Sequence, residues 1–114
     1  MVFKVNDREY ELKFTTKAIV NCEKRLGFNP FEVFSGVADE EGNLIKLPKF
    51  TDVLIILHEC LNIKNTGMTL DKVYSLFDQY CQEGGNIVTL SELLVQCMQE
   101  SGLLGNGEPQ EAGE

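Results

Sequence analysis

Apolar and polar residues alternate from Val2 to Phe14: Phe3, Val5, Tyr10, Leu12 and Phe14 share one face, while Lys4, Glu9, Glu11 and Lys13 take the other. A period of two predicts a β-hairpin, and a two-residue turn at Asp7-Arg8 would set Val5 opposite Tyr10, Phe3 opposite Leu12 and Lys4 opposite Glu11. A lone hairpin is marginal in water, so its apolar face needs helices to cover it. The period then lengthens to three or four. Ala18, Ile19, Cys22 and Leu26 predict a helix capped by Thr15 or Thr16 and stopped at Gly27, with Lys17, Asn21, Glu23, Lys24 and Arg25 turned to water. Asn29-Pro30 blocks continuation, and "PFEVFSGV" reads as a second short helix whose Phe31 and Phe34 dock on the hairpin.

Residues 39–48 read as a loop or a short third strand. After them "FTDVLIILHECLNI" is apolar on nearly every side, which predicts a helix buried centrally or against a second copy, with Thr51 as N-cap. Two helices close the pattern. Thr69 caps the first, with Met68 and Val73 as a hydrophobic staple, Val73, Leu76, Phe77 and Tyr80 inward, and Gly84-Gly85 as the stop. Thr89 with Glu92 forms a capping box for the second, with Val88 and Leu93 as staple, Leu90, Leu93, Leu94, Cys97 and Met98 inward, and Gly102 as stop. The predicted fold is α+β: an N-terminal β-hairpin packed against a bundle of about four to five α-helices, in a single domain over residues 1–104. "GNGEPQEAGE", residues 105–114, is Gly-rich and acidic and predicts a disordered tail.

The charge balance narrows the partners. A net charge of −8 argues against nucleic acid, whose binding draws on clustered Lys and Arg. Residues 58–114 hold nine acids but only Lys64 and Lys72, so this half projects a negative field that aids solubility and could steer a basic partner. No apolar run approaches the ~20 residues needed to span a bilayer, and the charged opening "MVFKVNDREYELKF" is no signal peptide, so neither a membrane nor secretion is expected. Cys22, Cys60, Cys81 and Cys97 lie in helical patterns on or beside apolar faces, which predicts reduced thiols packed as small hydrophobes.

Candidate chemistry is sparse. His58 and Cys60, two apart on a helix, point to different sides, and neither CxxC nor HxxxH occurs, so no metal or cofactor is expected. Asp39-Glu40-Glu41-Gly42-Asn43 lacks the ligand ladder of a calcium loop. "EGGN" ends a helix instead of opening one, unlike a phosphate loop. No thiol has a base facing it, and no carboxylate pair sits in an apolar pocket. The residues therefore describe a non-enzymatic interaction module with no catalytic residue. Ile55 and Ile56 lie on a side of their helix that a small core could leave uncovered; with Leu94, Leu103 and Leu104 of the last helical segment they form the expected partner surface.

"EYELKFTTKAIVNCEKRLGFNPF", Glu9 to Phe31, resembles the N-terminal signature of the small tail assembly chaperones of long-tailed bacteriophages of Gram-positive hosts. The matching residues are Tyr10, Leu12, Lys13, Phe14, Thr15, Thr16, Lys17, Ala18, Ile19, Glu23, Lys24, Leu26, Gly27, Asn29 and Pro30. "GMTLDKVYSLFDQYCQEGG" and "LSELLVQCMQESGLL" are similar to that family's two closing helices, so the resemblance spans about residues 1–104. It implies a chaperone in the host cytoplasm that binds the tape measure protein, keeps it soluble, helps recruit tail tube subunits and leaves before the virion is complete. It also implies a longer frameshifted form as a partner, besides a homo-oligomer of the short form. Size and composition equally suit a virion structural protein, such as a minor tail or head-tail completion subunit. The acidic charge also suits a host-directed inhibitor or adaptor.

Overall fold

The computed structural model describes residues 1–36, 39–41 and 43–103. Strands β1 (Val2–Val5) and β2 (Arg8–Glu11) form an antiparallel hairpin, followed by helices α1 (Thr16–Leu26), α2 (Phe50–Asn62), α3 (Leu70–Gln82) and α4 (Ile87–Glu100), with a 3-10 turn at Pro30–Phe34 between α1 and α2. This is an α+β fold in which α2 is the centre, packed against α1, α3, α4 and the 3-10 turn. Its central place follows from its sequence: Val53, Leu54, Ile56, Leu57, Cys60 and Leu61 cover most of its circumference and are all buried.

The hairpin turns one residue earlier than the sequence suggested. Asn6 and Asp7 are the turn residues, with φ of 54° and 63°, and Phe3 pairs with Tyr10 and Lys4 with Glu9. A two-residue turn that matches strand twist needs positive φ at both positions; Asn and Asp tolerate this and Arg8 does not. The register moves by two residues, so every side chain keeps its face, and Phe3 and Val5 remain fully covered. Replacing Asp7 with Val is expected to cost about 1–2 kcal/mol in chemical denaturation, since a β-branched residue pays for the left-handed conformation. A loss below the resolution of the titration would show that the turn relaxes to another geometry.

The hairpin is tied down along its length. Phe3 packs on Tyr80 of α3 with ring centroids 5.1 Å apart, the Lys13 N–H donates to the Cys60 carbonyl at 3.1 Å, and the Asn6 N–H donates to the Glu83 carboxylate at 2.9 Å. Three other expectations are corrected. Phe31 and Phe34 are half-buried, and the 3-10 turn packs on α1 and α2 instead of the hairpin; only Phe31 reaches back, edge-on to Phe14 at 5.8 Å. Helix α2 starts at Phe50 with Lys49 as a cap that makes no side-chain hydrogen bond, not at Thr51. Helix α4 starts at Ile87, because Asn86 caps it and Thr89 serves as the reciprocal partner at the third helical position. The earlier start adds Ile87 to a buried stripe with Leu90, Leu94, Cys97 and Met98. Within that stripe the Ser91 hydroxyl donates to the Ile87 carbonyl at 2.7 Å, which satisfies a buried polar group. Residues 39–41 and 43–48 form no third strand in the sheet, which has two strands.

Candidate binding surface

Exposed apolar side chains gather where the chain crosses from the 3-10 turn to α2. Leu44, Ile45, Leu47 and Phe50 are 51, 62, 52 and 47% exposed, and Phe28, just past the end of α1, is 40% exposed. The local sequence explains the shape. Gly27, at φ 85°, ends α1 and sends Phe28 outward, while Pro48 holds Leu47 extended and is itself buried as the anchor of the segment. Leu47 and Phe28 line a groove of about 310 Å³ floored by Val33 and Pro48. Its lining also includes Lys46, Lys49, Glu32 and Asp52, a balanced charge unlike the acidic second half of the chain. Phe50 leans edge-on against Phe77 at 5.9 Å, which fixes the far end of the segment on α3. An apolar stretch presented in extended form between charged flanks is suited to gripping another polypeptide rather than to chemistry.

The residues expected from sequence to form the partner surface are not brought together. Ile56 and Leu94 are fully buried and belong to the core, and Ile55 is half-buried beside them. Leu103 is 41% exposed but lines a different groove, at the end of α4. Leu104 and the tail at 105–114 lie outside the described residues. The exposed apolar surface falls in "LIKLPKF": outside a single bridge at Leu44 and the first residue of α2 at Phe50, this proline-containing stretch has no strand or helix in which to bury its apolar residues.

A second unforeseen feature is polar. Glu59, on the face of α2 that meets α1, is buried; its carboxylate accepts from Arg25 Nη1 at 2.8 Å and from Asn21 Nδ2 at 3.2 Å. The same Arg25 nitrogen lies 2.8 Å from His58 Nδ1, and His58 Nε2 lies 2.7 Å from the Met68 carbonyl. A carbonyl only accepts, so Nε2 carries the proton and Nδ1 accepts from Arg25, which fixes the tautomer. Asn21 is half-buried and Arg25 keeps the exposure expected of it, and both also clamp α1 to α2. This cluster is satisfied internally and presents no open position for a substrate. Among the described residues no group of three or more His, Cys, Asp or Glu could hold a metal ion. The Asp39 carboxylate accepts from the Glu41 and Asn43 N–H groups at 3.0 and 2.8 Å, a turn built on its own backbone. No helix among the described residues is long and apolar enough to cross a membrane.

A family model described as a family of unknown function (DUF6096) covers residues 1–112. No curated protein and no solved structure matches the chain.

Proposed function

We propose that this chain, which belongs to the DUF6096 family of unknown function, is a non-catalytic binding protein and acts as a phage tail assembly chaperone. In this reading it binds the tape measure protein, keeps that long helical polypeptide soluble in the host cytoplasm and helps recruit tail tube subunits. It leaves before the virion is finished. A longer frameshifted form would share the described domain and therefore its client surface. The observation that supports the reading is the exposed apolar segment Leu44–Phe50 with Phe28 beside it. A client helix laid along the Phe28–Leu47 groove would bury apolar side chains that otherwise drive its aggregation. The resemblance of Glu9 to Phe31 to the phage chaperone signature supplies the identity of the client.

The test is co-expression of the tape measure protein with and without this chain, followed by co-purification. The soluble fraction is expected to rise and the two proteins to elute together. The paired substitution Ile45→Ser and Leu47→Ser is expected to abolish that rescue while changing stability by no more than ~0.5 kcal/mol per site, as for exposed positions generally. Unchanged client solubility with the native chain would sink the chaperone reading, and mass-spectrometric detection of the chain in finished particles would move it to a virion subunit.

A further inference from the structure

Three of the four cysteines are buried and one, Cys81, is exposed. Cys97 of α4 is 5% exposed and has an opening beside it. A groove of about 400 Å³ runs between the start of α1 and the end of α4, with Lys13, Thr15, Thr16, Cys97 and the carboxylates Glu11 and Glu100 among its lining residues. The Cys97 thiol is hydrogen-bonded to that of Cys60 on the central helix, which is 1% exposed and does not line the groove. An entry thiol backed by a second thiol is the arrangement that lets a mixed disulfide form and then resolve.

We infer that Cys97 and Cys60 form a reactive dithiol, entered through the α1–α4 groove at Cys97 and oxidised by a low-molecular-weight disulfide to an internal Cys60–Cys97 bond. The Cys97 thiolate attacks one sulfur of the incoming disulfide, forming a mixed disulfide and releasing one small thiolate. The Cys60 sulfur then attacks Cys97, the S–S bond between α2 and α4 forms, and the second small thiolate leaves. Two protein thiols are oxidised and one external disulfide is reduced to two thiols, the two protein protons passing to the departing thiolates.

The surroundings assign the roles. Hydrogen bonding from Cys60 holds the Cys97 thiol below its ordinary range; the amino terminus and Lys13 act in the same direction, against burial and Glu100. Cys60, the donor in that contact, is pushed well above the ordinary range by it and then by burial, so it keeps its proton until Cys97 has reacted. Cys22 is pushed up to about 12, chiefly by burial and next by Glu59, and remains an inert core thiol.

The experiment uses the full chain with Cys81→Ser, which removes the exposed competitor, incubated with oxidised glutathione and mapped by mass spectrometry without reduction. The expected product is the Cys60–Cys97 linked chain with no lasting adduct. Adding Cys60→Ala should strand a glutathione adduct on Cys97, and adding Cys97→Ala should abolish both products. Because buried thiols also react when a protein unfolds, the rate is measured across low urea with circular dichroism alongside. A rate flat below the unfolding transition supports entry through the groove. A rate that climbs in step with global unfolding, a Cys22–Cys60 link, or no adduct on Cys97 in the Cys60→Ala chain would overturn the inference. None of these outcomes bears on client binding, which the Leu44–Phe50 segment carries.

Discussion

Ile56→Lys is expected to unfold the chain. Ile56 is completely buried at the middle of α2, the helix that every other helix touches. An ammonium placed there enters a fully covered core position, with Glu59 three residues on already paired to Arg25, and the effective cost of an unpaired buried charge is several kcal/mol. A domain of this size holds roughly 5–15 kcal/mol of stability, so such a loss removes most or all of it. The milder Ile56→Ala, which deletes only methyl and methylene groups, should cost about 2–5 kcal/mol and leave a folded, less stable protein. Thermal unfolding followed by circular dichroism separates the two. A Lys variant that melts within a few degrees of the native chain would mean that this side of α2 opens easily to solvent and that the site belongs to a partner surface after all.

Glu59→Ala is expected to cost roughly 2–3 kcal/mol, below the cost of breaking a fully enclosed pair because the Arg25 side chain remains 29% exposed. The loss comes from the groups left behind: Arg25 Nη1 and Asn21 Nδ2 both lose the carboxylate that accepts from them at the α1–α2 contact. The double change Glu59→Leu with Arg25→Leu removes both charges and replaces them with packing, and should recover most of that loss. A cycle built from the two single variants and the double measures the coupling directly. Additive losses would mean that the pair contributes nothing and that α1 is held by Ala18 and Cys22 alone.

Sequence periodicity carried the fold further than it carried the site. The apolar stripes of α1, α3 and α4 and the glycine stops at Gly27, Gly84 and Gly102 were visible because each is written in local chemistry, and all three glycines sit at positive φ. Helix starts were less legible where two capping residues compete. Asn86 and Thr89 both carry an acceptor at the right distance from an apolar run, and the choice between them depends on whether Ile87 finds a place in the core, which is a tertiary question. Lys49 shows the same thing at α2, where the start is set by Phe50 meeting Phe77 and no cap is needed. Glu59 was hidden because one charge in a run of aliphatics reads as an edge, and only the arrival of Arg25 and Asn21 from a helix 34 and 38 residues away makes it part of the interior. The expected patch does not assemble for a related reason: the most apolar helix drew attention, whereas the fold buries Ile56 and most of that helix and leaves exposed the shorter apolar run that has no periodicity.

The tether between the hairpin and α3 bears on when the protein can finish folding during its own synthesis. Asn6 and Glu83 are 77 residues apart, and Phe3 waits for Tyr80 across a similar length of chain. At the usual elongation rate of about 5–20 residues per second, the first strands leave the ribosome several seconds before their cover exists. For that interval Phe3 lacks its Tyr80 cover on the nascent chain, and the hairpin is sealed only after the helices that follow it have been made.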